Sequence, residues 1–274
     1  MVASGSIYKV AIIGCGNMGR TYAKSFLQYG ICAKEELVLV EKSDARRTLL
    51  APENMGTVVS GCGSEVGESK IVVLAVKPQD FADLAADLKP HLQDDNIVLS
   101  IMAGTPIARI SEALAHRNVV RAMPNLPARI GMGMTGFTAG PEVDRAHLRT
   151  AETLLNTTGR AIFLDDENLL DAVTAVSGSG PAYFFFFIHQ MVQAAREMGL
   201  DEATARVLAK QTMLGSYHLL NNTQASLEAM IASVSSKGGT TEAAFEVFRE
   251  RGMGEALQAG IKRAEERARE LSNL

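Results

Sequence analysis

One turn constrains this chain more than any other feature. Tyr8 to Ile13 reads as a short apolar strand, and Gly14-Cys15-Gly16-Asn17-Met18-Gly19 follows it and opens a helix. In a GxGxxG placed between strand and helix, each glycine has its own reason. Gly14 permits the tight turn, Gly16 lets the backbone approach a pyrophosphate, and Gly19 lets the helix pack on the strand. The amides at the helix start, with Asn17 and Met18 in the same turn, offer donors and partial positive charge to phosphate oxygens. Alone the pattern is a weak signal, but at the head of a βαβ unit it points to dinucleotide binding.

The strand–helix alternation continues. Val10–Gly14, Leu37–Val40, Thr57–Val59, Ile71–Val76, Ile97–Ile101 and Val119–Ala122 are short apolar runs bounded by Gly, Pro, Asp or Asn. Such runs are typical of parallel strands covered on both faces. Helical stretches separate them, among them Met18–Gln28, Asp80–Leu88 and Pro106–Leu114, which predicts a Rossmann-type doubly wound parallel sheet. Past about residue 165 strand-like runs give way to helical periodicity over Pro181–Met198, Asp201–Asn221, Leu227–Ser233, Thr241–Arg251 and Gly254–Leu271. The expected organisation is a dinucleotide-binding domain over residues 1–164 and an all-α domain over residues 165–274.

Composition narrows the function class. A net charge of −4 in 274 residues gives no basic field for nucleic acid. Cys15, Cys32 and Cys62 have no CxxC spacing, and the five histidines have no paired spacing, so reduced thiols and no metal site are expected. Lys9 interrupts any leader pattern, and Ala182–Ile188 is shorter than the roughly 20 residues a membrane helix needs. A buried helix there, no membrane partner and a cytoplasmic address follow.

Four other places carry chemistry. Glu41 ends the second strand, where a carboxylate accepts from adenosine ribose hydroxyls and disfavours a 2′-phosphate; Lys42, Arg46 and Arg47 close behind suit that phosphate. NADH and NADPH therefore both stay open, with Glu41 favouring NADH. The fourth strand runs into Ala75-Val76-Lys77-Pro78-Gln79 and the sixth into Met123-Pro124-Asn125. Both meet the ligand crevice at the strand carboxyl ends, with Lys77 and Asn125 as candidate ligand contacts. Ser177-Gly178-Ser179-Gly180-Pro181 precedes an apolar helix, and Ser179 with Pro181 also serves as a capping device. Ser235-Ser236-Lys237-Gly238-Gly239-Thr240-Thr241-Glu242 is a second glycine-rich turn feeding a helix, a shape that cradles a carboxylate or phosphate.

With these two serine–glycine turns the chain resembles the pyrroline-5-carboxylate reductases, which make proline from its cyclic imine. The resemblance runs through Gly14–Gly19, Ala75–Gln79, Met123–Asn125, Ser177–Tyr183 and Ser235–Thr241 with Glu242-Ala243-Ala244. It implies NADH or NADPH as hydride donor and a helical domain that joins subunits into a dimer or larger homo-oligomer. It also implies Ser236, Gly238, Gly239 and Thr240 around the substrate carboxylate, with Ser177 and Ser179 nearby, and Thr241 as the catalytic hydroxyl beside the imine nitrogen. Two departures stand out: Lys237 where many relatives carry proline, and Gly61-Cys62-Gly63-Ser64 where relatives usually place an asparagine. A protonated imine is already electrophilic, so the chemistry asks for orientation and not for a His–Asp relay. Two alternatives remain. A β-hydroxyacid dehydrogenase needs a catalytic lysine, for which Lys210 is the candidate. A non-catalytic dinucleotide sensor has no use for the Ser236–Thr241 turn.

Overall fold

The computed structural model describes residues 9–272; Tyr8 of the expected first strand lies outside them. The chain divides into two compact units: residues up to Ser179 together with the segment from Ala264, and Gly180–Arg263.

In the first unit the elements run β1 (Val10–Ile13), α1 (Asn17–Gln28), β2 (Leu37–Val40), α2 (Asp44–Leu50), β3 (Thr57–Val59), α3 (Ser64–Gly67) and β4 (Ile71–Leu74). They continue as α4 (Phe81–Leu88), β5 (Ile97–Ser100), α5 (Ile107–Leu114), β6 (Val119–Met123), β7 (Gly133–Ala139), α6 (Arg145–Asn156), β8 (Gly159–Phe163) and α7 (Leu169–Val173). The sheet order is β3-β2-β1-β4-β5-β6-β7-β8. All neighbours are parallel except β6 and β7. The order reverses between β1 and β4, so a crevice opens at the carboxyl ends of those strands.

Strand alternation distributes the core over both faces. Val10 and Ile12 join Tyr22 and Phe26 of α1 and Leu154 and Leu155 of α6. Ala11 and Ile13 join Phe81 and Leu88 of α4 and Ile110 and Leu114 of α5. With both faces covered, the central strands β1, β2 and β4 are apolar and buried throughout, as their sequences suggested.

The six expected strands are present, and two more extend the sheet. β7 has the sequence GMTGFTA, and its glycines hide it from a search for apolar runs. Gly136 is needed because a Cβ there would stand 2.9 Å from the Val173 methyls of α7. β8 is half exposed, with Ile162 and Phe163 open to solvent, and shows no continuous apolar run.

The first unit runs past the change of pattern near residue 165. Glu167 Oε1 accepts from the buried Arg121 guanidinium of β6 at 2.8 Å and from the Ile107 amide of α5 at 2.8 Å. This ties the approach to α7 onto the sheet.

The second unit holds α8 (Gly180–Glu197), α9 (Glu202–Asn221), α10 (Leu227–Ser233), α11 (Thr240–Glu250) and the first part of α12 (Met253–Ser272). Its core cluster is small: Val192, Ala205 and Ala209, with Ile188 and Ala195 packed on them. The expectation that Ala182–Ile188 is buried is corrected here. Phe184, Phe185 and Phe186 are 55%, 59% and 61% exposed in the single chain. A helix apolar around its circumference needs cover, and packing on α9 through Val192, Ala205 and Ala209 does not provide it.

Candidate active site

A cleft of about 890 Å³ lies at the carboxyl ends of β1, β2 and β4. Gly14 has φ +94°, and a Cβ on it would stand 2.8 Å from the Ala75 carbonyl group. A Cβ on Gly19 would overlap the Gly14 carbonyl oxygen. These two glycines therefore answer to the fold. Gly16 does not: a Cβ there would meet nothing within 4 Å, and it would project into open space. That open space leaves room for a ligand to approach the backbone closely. No side chain caps α1, and its first internal bond runs from Arg20 N to Gly16 O at 3.0 Å. The amides just before it are free of intrahelical partners, as the pyrophosphate of a dinucleotide requires.

The cleft gathers Gly14, Gly16, Asn17, Met18, Glu41, Lys42, Ala75, Val76 and Lys77 from the expected cofactor residues. Gly19 supports the turn from behind, and Pro78 begins the next helical turn outside the lining. Sequence reasoning missed Arg20, Ser43 and Ser60 on the wall, which belong to no motif and reach it only through the fold.

At the β2 end, Glu41 is 4% exposed, and its carboxylate accepts from Cys15 N at 3.2 Å and Ser43 N at 3.0 Å. The carboxylate is thus fixed beneath the glycine turn with lone pairs to spare. Each nearby cation has an acidic partner. Lys42 Nζ lies 3.2 Å from Asp80, Arg46 Nη1 lies 3.7 Å from Glu41, and Arg47 pairs with Asp44. The Cys15 thiol is pushed up to about 12, chiefly by burial and then by Glu41. It stays neutral at the place where a thiolate would repel phosphate.

Asn125 is bonded within the protein. Its Oδ1 accepts from Met134 N at 2.9 Å, and its Nδ2 donates to Ser177 O and Ser177 Oγ at 3.2 Å each. The amide is occupied within the protein, and Asn125 does not line the cleft. Ser177 sits in a π-turn, Thr174–Gly178, which Ser179 closes by donating its amide to Thr174 O at 2.9 Å.

In the helical unit, Gly238 has φ +72°, and Gly239 is the N-cap of α11 without a side-chain cap. Two amides expected to hold a carboxylate have internal acceptors. Gly238 N donates to Glu242 Oε2 at 2.6 Å, and Gly239 N donates to Ser236 O at 2.9 Å. The first helical bond is Ala243 N to Gly239 O. The amides of Thr240 and Thr241 are then the donors that the α11 start leaves over, with the Ser236 and Thr241 hydroxyls on the same turn. Glu242 shows what such a turn accepts: a carboxylate.

Two family models match. Residues 167–271 match pyrroline-5-carboxylate reductase dimerisation, and residues 9–104 match NADP oxidoreductase, coenzyme F420-dependent. The pyrroline-5-carboxylate reductase of Haemophilus influenzae is 34% identical, covering 97% of this chain and 98% of its own length. That of Pseudomonas aeruginosa is 36% identical, covering 96% and 97%. Among solved structures, a pyrroline-5-carboxylate reductase from Coxiella burnetii superposes with TM-score 0.87 at 30% identity, covering 97% of this chain and 99% of that one. The Plasmodium falciparum pyrroline carboxylate reductase with NADP bound shares the fold, with TM-score 0.87 at 24% identity, covering 98% and 100%.

Proposed function

The chain belongs to the pyrroline-5-carboxylate reductase family, and we infer that it reduces the cyclic imine pyrroline-5-carboxylate to proline. One observation carries this reading. Identity to named reductases of 34% and 36% spans 97% and 96% of the chain, so it includes both the dinucleotide cleft and the Ser236–Thr241 turn.

When bound, NADH or NADPH supplies a hydride from C4 of its nicotinamide. The protein's part is placement. The open Gly16 and the amides at the α1 start take the pyrophosphate, and Glu41 takes the adenosine ribose. Ser236 with the Thr240 and Thr241 amides holds the substrate carboxylate. The imine carbon gains the hydride and its two electrons, and the nitrogen keeps its proton as the ring amine. The Thr241 hydroxyl hydrogen-bonds that nitrogen. A hydroxyacid dehydrogenase would instead need a lysine taking the alcohol proton, and Lys210 stands exposed on α9.

Thr241→Val tests the hydroxyl. It is expected to lower turnover roughly tenfold or more while leaving NADH affinity unchanged. Full turnover in this variant would reduce Thr241 to a helix-start residue.

Glu41 and its neighbours favour NADH over NADPH, since a 2′-phosphate would meet a buried carboxylate and cations already paired with acids. Glu41→Ser is expected to move the preference toward NADPH by about 1–3 kcal/mol. The ratio of kcat/KM for the two cofactors measures it, and a wild-type enzyme strongly preferring NADPH would assign the role to Lys42 or Arg46.

The match to a dimerisation model and the exposed α8 phenylalanines support a homo-oligomer joined through the helical unit. No helix among the described residues is long and apolar enough to cross a membrane. The three cysteines are free thiols, in keeping with work in the cytoplasm.

A further inference from the structure

Of the two charged residues on α1, Arg20 and Lys24, only Arg20 lines the dinucleotide cleft, and no motif contains it. It is the fourth residue after the Gly16 N-cap, and its amide makes the 3.0 Å bond to Gly16 O. Helical side chains lean toward the N-terminus of their helix, so the Arg20 stem runs back toward the turn of Gly16 and Asn17. The amides of that turn have no helical partner. Arg20 and Asn17 also line a second hollow, of about 520 Å³. The side chain is partly exposed and borders two open spaces, which gives the guanidinium room to turn.

The guanidinium pairs with Glu53, and Lys24 Nζ lies 2.9 Å from the other oxygen of the same carboxylate. Glu53 ends the helical turn Ala51–Glu53 that follows α2, and its side chain is largely buried. Arg20 and Lys24 stand four residues apart on one face of α1, where like charges repel, and Glu53 offsets that repulsion. The acid is therefore shared: if Arg20 leaves it, Lys24 still neutralises it. The pair also leaves the guanidinium incompletely used, because the buried Arg20 Nε has no hydrogen-bond partner. The Arg20 charge reaches the glycine turn as well. The Cys15 thiol, raised by burial and then by Glu41, is drawn back in part by Arg20 and Arg46.

We propose that Arg20 is a cofactor-binding residue whose guanidinium turns from Glu53 to a pyrophosphate oxygen when the dinucleotide enters, while Lys24 keeps Glu53 neutral. A guanidinium on phosphate makes charge-assisted bonds, stronger than those between neutral groups. Glu53 competes with the pyrophosphate for the same cation, so it opposes cofactor binding and does not brace it. Only the dinucleotide cleft is needed for this, and the identity of the substrate does not enter.

The test reads the Kd of NADH and of NADPH by cofactor fluorescence, without substrate, for the wild type, Arg20→Gln and Glu53→Gln, beside thermal unfolding of each. Arg20→Gln is expected to weaken both cofactors by the same factor, about tenfold. Glu53→Gln is expected to tighten both, by about threefold, since it frees Arg20. Opposite signs for the two partners of one ion pair are the signature, because a structural brace is weakened by the loss of either. Three results would overturn the assignment: no change in Arg20→Gln, a loss confined to NADPH, which would place Arg20 at the 2′-phosphate, or weaker binding in Glu53→Gln. Should one variant not fold, the other decides alone. For Glu53→Gln the sign of its shift does so. For Arg20→Gln the deficit against wild type should close toward about 1 M salt, where charges are screened within about 3 Å, and a deficit that persists would overturn the assignment. Wild-type binding is measured first. A chain that binds neither dinucleotide contradicts the cleft and this role of Arg20 together, whereas binding without imine turnover contradicts the inferred reaction alone.

Discussion

A Gly16→Val variant is expected to fold as well as the wild type and to bind NADH on the order of 100-fold more weakly. The pairing of these two outcomes is what tests the cleft. The Gly16 backbone has φ −70° and ψ −165°, which any residue adopts, and its Cβ direction is empty to 4 Å. Nothing in the protein resists the larger side chain. Valine would instead occupy the space next to the amides at the start of α1, where a pyrophosphate must make close contact. Gly19→Ala serves as the contrast. Its Cβ overlaps the Gly14 carbonyl oxygen, so it should lower the unfolding temperature together with affinity. Fluorescence titration with NADH beside thermal unfolding separates the cases. Undiminished NADH binding in Gly16→Val would mean that the open space beside Gly16 is not the pyrophosphate site.

Phe186→Glu should abolish assembly and imine reduction together, while NADH binding survives. Fully burying one phenylalanine side chain contributes about 1.5–3 kcal/mol, and α8 presents Phe184, Phe185 and Phe186 more than half exposed in each chain. Two such surfaces meeting in an isologous pair would supply the cover that Val192, Ala205 and Ala209 cannot give within one chain. A glutamate in that paired surface would have to be buried unpaired, or the pair must separate. The cleft draws its lining from the first unit alone, so NADH affinity is expected to be independent of the association. Light scattering gives the mass. A fully active monomer, or an unchanged oligomer in Phe186→Glu, would contradict the account.

Much of this was legible in the sequence because the relevant physics is local. Strands buried on both faces carry apolar runs, and β1, β2, β4 and β5 were visible for that reason, while the partly exposed edge strand β3 showed as a short β-branched run. β7 was not, since Gly133 and Gly136 break its run and Gly136 is dictated by Val173 on α7, a contact distant in sequence. Glycine spacing located the strand-to-helix turn, yet it could not separate the glycines that the fold needs, Gly14 and Gly19, from the one left open, Gly16. Composition marked Ala182–Ile188 as a segment seeking cover without saying whose surface covers it. Asn125 shows the limit most clearly. Its position after a strand suggested a ligand contact, and its bonds to Met134 N and to Ser177, 52 residues away, could not be read from any local pattern.

The central claim is that the cleft and the helical turn belong to one imine reductase. The most direct test follows NADH and NADPH oxidation by the purified protein with pyrroline-5-carboxylate, and NAD(P) reduction with 3-hydroxyacids. An imine reductase oxidises the cofactor with stoichiometric formation of proline and leaves the hydroxyacids unchanged. Hydroxyacid oxidation without imine reduction, or dinucleotide binding with no turnover of either substrate, would contradict it.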